Sequence, residues 1–141
     1  MPDLIVDTSA LLAYFDASEP DHAAVDEAIG SVTGSLIVSP YVLAELDYLV
    51  ATRHGVEAEL AVLDELAGGA WKLAGFAADD LSQARSIISE YRDQEVGVAD
   101  ASNVVLADRY RTSSIVTLDR RHFEVLRSIG GKQFTLLPLA R

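Results

Sequence analysis

The sequence predicts an α/β fold built on a parallel sheet with helices on both faces, and two observations carry that prediction. Short apolar runs alternate with segments of helical spacing along the 141 residues, and each run is apolar at consecutive positions rather than at every second one. Strands buried on both faces read as continuous apolar runs, and such a sheet needs helices on both sides to cover it. Half of the residues are hydrophobic, enough for a real core, and the length suits one domain over residues 1–141.

The strand candidates are residues 3–7 ("DLIVD"), 35–39 ("SLIVS"), 71–76 ("WKLAGF"), 113–119 ("SSIVTLD") and 134–139 ("FTLLPL"). Thr8 or Ser9 can cap a first helix that runs to about Phe15. Pro20 suits the first position of a second, which stops at Gly30. Ser39-Pro40 is a strong start signal for a third, from Tyr41 to about His54, closed by Gly55. Glu57 to Ala67 repeats apolar residues at helical spacing and ends at Gly68-Gly69. Asp79 or Asp80 opens a helix to about Arg92, Gly97 precedes another from Val98 to about Tyr110, and a short helix follows Asp119.

Composition narrows the function. There is no cysteine, so disulfides and thiolate metal sites are excluded. No run approaches the roughly 20 apolar residues of a membrane span, and the N-terminus lacks the basic flank and apolar stretch of an export signal. A cytoplasmic protein is expected. The net charge of −11 is unevenly spread: residues 1–95 hold 18 acids and four bases, residues 96–141 four acids and seven bases. General nucleic-acid binders rest on basic clusters. If this chain handles nucleic acid, metal ions must neutralise part of its acidity and the basic C-terminal third must dock the phosphates.

Four acids stand in apolar settings. Asp7 follows "LIV" and Asp119 follows "IVTL", each at the carboxyl end of a strand, where ligands gather in parallel sheets. Asp100 lies in the first turn of "VGVADASNVVLA", with Asn103 three residues on along the same face. Glu45 lies in "YVLAELDYLVA", on or beside the buried stripe marked by Val42 and Leu49. Each has a plain structural alternative. Asp7 and Asp119 can cap helices, Asp100 can complement a helix dipole, and Glu45 can pair with an Arg. Four anions about 5 Å apart at an effective dielectric near 20 would, however, repel by roughly 3 kcal/mol per pair. If the fold converges them, a divalent cation is the natural remedy, and all-oxygen ligands suit Mg²⁺ or Mn²⁺. The chemistry that follows is metal-assisted phosphodiester hydrolysis.

"LIVDTSALLAYFD", "SPYVLAELDYLV", "GVADASNVVLADRY" and "IVTLDRRHF", in this order and in a chain of this length, resemble the PIN-domain ribonucleases, and most of all the VapC toxins of bacterial toxin–antitoxin modules. The resemblance covers essentially the whole chain. It implies a three-layer α/β/α sandwich and a Mg²⁺- or Mn²⁺-dependent endoribonuclease. Asp7 and Asp100 would be the main metal ligands, with Glu45 and Asp119 completing the pocket. Thr8, Ser9, Asn103 and Thr117 would position carboxylates and water. It further implies a homodimer, an RNA substrate, and inhibition by a VapB-type antitoxin whose Arg mimics the cation. One position departs from the pattern. Many relatives carry a further acid where this chain has His122, before Phe123; a surface or structural role is the first expectation for it, ahead of a second-site ligand or an RNA contact.

Weaker features complete the reading. Arg120 and Arg121 follow a proposed ligand and could hold phosphates on either side of the cut. Trp71, Phe76, Tyr41, Tyr48 and Tyr91 are expected in the core or a dimer contact rather than as base-stacking platforms. Residues 40–66 hold more apolar side chains than one buried stripe needs, which points to a dimer interface or an antitoxin groove. A housekeeping PIN nuclease and a catalytically silent, peptide-binding acidic pocket are the alternatives. A receiver-like phosphoacceptor domain is disfavoured, because the first strand ends on a single acid and neither Lys72 nor Lys132 follows a suitable strand.

Overall fold

The structure, a computed structural model, describes residues 3–139. Its strands are β1 (Leu4–Val6), β2 (Leu36–Val38), β3 (Lys72–Leu73), β4 (Ser114–Val116) and β5 (Thr135–Leu137). The helices are α1 (Thr8–Phe15), α2 (His22–Gly30), α3 (Pro40–His54), α4 (Val56–Ala67), α5 (Ala78–Glu90), α6 (Val98–Arg109) and α7 (Arg120–Val125), with a 3₁₀ turn at Arg92–Gln94. All strand pairings are parallel, in the order β3-β2-β1-β4-β5. The predicted three-layer sandwich is the observed architecture.

Register explains why the strands are apolar at every position. Ile5 stands opposite both Ile37 and Ile115, and Ile115 opposite Leu136, so these four form one row across the sheet. That row packs on α5 and α6, through Ala84, Ile87, Val104 and Val105. The neighbours Leu4, Val6, Val38 and Val116 face the other way, onto Leu11, Val25, Leu46, Val62 and Leu66 of α1 to α4. Alternate side chains of a strand take opposite faces, so a strand covered on both sides has no position for water. Truncating Ile5, fully buried, to Ala is expected to cost about 2–5 kcal/mol in a denaturant melt.

Three local expectations are corrected. The strand foreseen over 71–76 shrinks to Lys72–Leu73, both exposed, because it lies at the sheet's edge; only its flanks Trp71 and Ala74 are buried. Short edge strands of this kind limit unwanted pairing. Pro20 does not begin α2. A turn intervenes, with Asp16 Oδ1 accepting from Ser18 N at 3.0 Å and Ser18 Oγ at 2.6 Å, and the helix starts at His22, whose Nδ1 meets Ala13 O at 2.7 Å. Thr8 and Ser9 are the first helical residues of α1, and Asp7 holds the cap position ahead of them. Ser39 does cap α3, accepting from Tyr41 N at 3.1 Å with Pro40 as the first helical residue. Gly55, at φ +88°, makes the sharp turn from α3 into α4 that a side chain would strain.

The order of the strands sets the site. The chain runs outward from β1 through β2 to β3, then returns to the other side of β1 for β4. The crevice beyond the carboxyl ends of β1 and β4 is therefore the switch point, where ligands of parallel sheets bind.

Candidate active site

Asp7 sits in that crevice. Its backbone N–H donates to Val116 O at 2.9 Å, so the β1–β4 pairing carries on to this residue. Its carboxylate makes no helix-cap hydrogen bond. Instead Oδ2 accepts from Thr117 Oγ1 at 2.9 Å and Oδ1 from Asn103 Nδ2 at 3.1 Å, with Ser9 Oγ at 3.5 Å from Oδ2. Ser9 Oγ accepts from Leu118 N at 2.9 Å, and Thr117 Oγ1 from Asp119 N at 3.0 Å. The ends of β1 and β4 are thus stitched together around one buried carboxylate. The capping role is not the one Asp7 plays.

The remaining acids come from other elements. Asp100, at the third position of α6, places its carboxylate 2.9 Å from His122 Nδ1. Asp119 is the cap-position residue of α7, yet its carboxylate caps nothing and lies 3.5 Å from the same nitrogen. Glu45 projects from α3, exposed, beside the buried stripe of Val42, Leu46 and Val50 rather than in it. Among the described residues it has no ion-pair partner, so the Arg-pairing alternative finds no support. Ser39 Oγ and Ser102 Oγ, 2.6 Å apart and buried, tie the start of α3 to α6, the helices that carry Glu45 and Asp100. Asp7, Thr8, Ser9, Glu45, Asp100, Asp119 and His122 all line one cleft of about 550 Å³.

The electrostatics show a pocket short of positive charge. Burial, then the charge of Asp100, pushes the Asp7 carboxyl up to about 6; the Thr117 hydrogen bond works against this, and Glu45 adds to it. Asp100 is also raised, first by burial and further by Asp119 and Glu45, while His122 opposes the shift. Both Asp7 and Asp100 thus feel the charge of Glu45 across the cleft.

Comparison with known proteins identifies the family. The PIN domain family model matches residues 4–127. Over 135 residues the chain is 68% identical to ribonuclease VapC26 of Mycobacterium tuberculosis, covering 96% of this chain and 100% of that one. The chain belongs to the PIN-domain family, among its VapC ribonucleases. The fold is that of VapC20 of M. tuberculosis, a sarcin–ricin-loop-cleaving toxin: TM-score 0.76 at 22% identity over 82% of this chain and 89% of that one. It also matches the DNA-bound VapBC of Salmonella typhimurium, at TM-score 0.71 and 21% identity, covering 96% and 98% of the two chains.

Within this PIN domain the expected residues separate into groups. Asp7, Thr8, Ser9, Glu45, Asp100 and Asp119 line the cleft, and Asn103 and Thr117 stand behind Asp7, both buried. Arg121 is 86% exposed, 3.8 Å from Asp119, on the rim. Arg120 lies outside the cleft, bound to Glu124 at 3.3 Å and to Pro138 O at 3.3 Å. Much of the basic C-terminal third is likewise engaged internally: Arg109 pairs with Asp80 at 2.7 Å, and Arg127 donates to three carbonyls of its own turn. Of the surface or structural role expected for His122, the structure favours the structural one: it is 21% exposed and faces two acids. Glu95, on the rim in a left-handed conformation (φ 56°), is a further acid that its polar stretch "RDQEVG" gave no reason to single out. Trp71 is buried as foreseen, but Tyr48 is 68% exposed and is no part of the core.

The donors suit a hard divalent cation. They are all oxygens, and two buried ones, Thr8 Oγ1 and Asn103 Oδ1, have no partner. Among the described residues, though, no three acid or His side chains are gathered tightly enough to hold a metal ion as they stand. The donor chemistry fits such an ion, while the carboxylates stand apart from one another in the cleft.

Proposed function

We propose that this chain is the toxin of a toxin–antitoxin pair, an endoribonuclease that depends on Mg²⁺ or Mn²⁺. The observation that carries the reading is the buried Asp7 carboxylate, fixed by Thr117 and Asn103 at the sheet's switch point and faced by three further acids. Asp7 and Asp100 would hold the cation, with Glu45 and Asp119 completing its surroundings. When bound, such an ion ionises water near neutral pH and offsets the charge that builds on the attacked phosphate.

The rest is done by the chain's own groups. Thr117 and Asn103 hold both oxygens of Asp7 against rotation. Exposed Glu45 orients the attacking water and accepts its proton at a carboxylate oxygen. The water oxygen bonds to phosphorus as the P–O bond to the leaving oxygen breaks, and that oxygen takes its proton from solvent. Arg121 offers its guanidinium to a phosphate flanking the cut.

An antitoxin partner is supported by a second groove, of about 420 Å³, that shares Leu12 with the acidic cleft. Leu12, Phe15, Val50 and Val62 make its floor, and Asp16, Glu19 and Glu65 stand around it together with Arg53 and His54, the latter 3.7 Å from Asp16. An amphipathic segment with basic side chains fits it, and an Arg from that partner can reach the carboxylates in place of the cation. Tyr48, Val56 and Leu60, exposed on α3 and α4, leave apolar surface for a homodimer. No helix of the described residues is long and apolar enough to cross a membrane.

The loosely gathered acids favour one other reading, a silent pocket that only binds a basic peptide. Cleavage of a labelled RNA stem-loop separates the two. The nuclease cuts it with Mn²⁺, stops with chelator and is inactive as Asp7→Asn. Absence of any cation-dependent cutting across a panel of structured RNAs would leave the peptide-binding reading standing.

A further inference from the structure

His122 lines the cleft with one ring nitrogen near two of its acids. Nδ1 lies 2.9 Å from Asp100 Oδ2 and 3.5 Å from Asp119 Oδ2. This nitrogen is buried, out of line for a regular hydrogen bond, and has no other partner. A buried donor beside carboxylates is unstable without one of them, and a small turn of the ring supplies it. Two local features put the ring there. His122 is the third residue of α7, so it stands over the cap-position Asp119, and Phe123 next to it is anchored in the core. Asp119 meanwhile forgoes the cap hydrogen bond that an Asp in its position normally makes.

Asp100 and Asp119 belong to separate elements, α6 and the β4–α7 connection, and among the described residues no hydrogen bond joins their side chains. Like charges left to themselves move apart. We propose that His122 is a positioning residue: its Nδ1 clamps the Asp100 and Asp119 carboxylates at a shared separation, so that both face the same cation. This rests on the nuclease reading above and goes beyond it, because it gives His122 a part in assembling the site.

The test uses the full chain as wild type, His122→Ala, His122→Asn and His122→Gln, each checked for an unchanged thermal melt. The Asn amide nitrogen falls where Nδ1 was, whereas the Gln amide reaches past it towards the place of Nε2. Mn²⁺ affinity is read by calorimetry on the free protein, and kcat and KM on an RNA stem-loop. Groups that hold metal-binding carboxylates typically matter by about 10–100-fold. His122→Ala is expected to weaken Mn²⁺ binding and lower kcat within that range with KM little changed. His122→Asn is expected to recover most of both, and His122→Gln neither. Wild-type Mn²⁺ affinity in His122→Ala overturns the clamp, and so does equal failure of Asn and Gln, which would make the ring's packing the cause. If wild type itself neither binds Mn²⁺ nor cuts RNA, the nuclease reading fails and the clamp falls with it.

Discussion

Asp7 and Glu45 line the same cleft, and the protein treats them in opposite ways. Asp7 is 5% exposed, with Thr117 and Asn103 each donating to one of its oxygens. Glu45 stands exposed on the cleft wall with no ion-pair partner among the described residues. One acid is part of the fold and the other is only carried by it. The difference divides the site into a floor built during folding and a wall free to adjust. It also accounts for a cleft rich in acids in which no three are yet drawn tightly together.

The largest expected effect is at the floor. Asp7→Asn or Asp100→Asn should reduce RNA cleavage on the order of a thousandfold, equivalent to several kcal/mol of lost charge stabilisation, while circular dichroism shows the fold intact. Next comes pH. Asp7 titrates near 6 in the folded chain against an ordinary 3.8, so over that interval the folded state holds a proton the unfolded chain has released. Protonation therefore favours folding: this contribution is fully present below pH 3.8 and is lost as pH rises through 6, to the extent of roughly 3 kcal/mol. Urea melts in chelator at pH 4.5 and pH 7.5 should show the drop in wild type relative to Asp7→Asn. No difference between the two slopes would place Asp7 in a far wetter setting than the structure gives it.

Smaller effects sharpen the contrast of floor and wall. Thr117→Val removes a donor from Asp7 and an acceptor from Asp119 N; it should cost about 10–100-fold in cation affinity and about 1–3 kcal/mol in stability. Glu45→Gln should lower cleavage about a hundredfold at unchanged stability. Stability loss in Glu45→Gln as large as in Thr117→Val would erase the division. Smallest is Arg121→Ala, expected to raise KM by about threefold at low salt and less at high salt, because an exposed guanidinium on the rim is screened.

The fold was legible in the sequence because consecutive apolar residues such as "LIV" at 4–6 and 36–38 have one good use, a strand covered on both faces. The four carboxylates were legible for a related reason: each interrupts such a pattern. What escaped depends on distance along the chain. Nothing near His122 tells that α7 turns its ring onto Asp100, since that contact spans 22 residues of sequence. Ser102, bonded to Ser39 across α3 and α6, is equally silent in "DASNVV". Pro20 misled because a turn set by Asp16 and Ser18 outcompeted a good helix-start signal. The arginines misled too: composition counts charges, and only the structure shows Arg109, Arg120 and Arg127 bound within the chain.

The central claim is that a divalent cation completes the acidic cleft, and a calorimetric titration of Mn²⁺ into wild type and into Asp7→Asn/Asp100→Asn at pH 7.5 tests it most directly. The account expects saturable binding in wild type, strengthened by a non-cleavable RNA, and its loss in the double variant. Equal binding by both proteins, or none by wild type even with that RNA present, would contradict it.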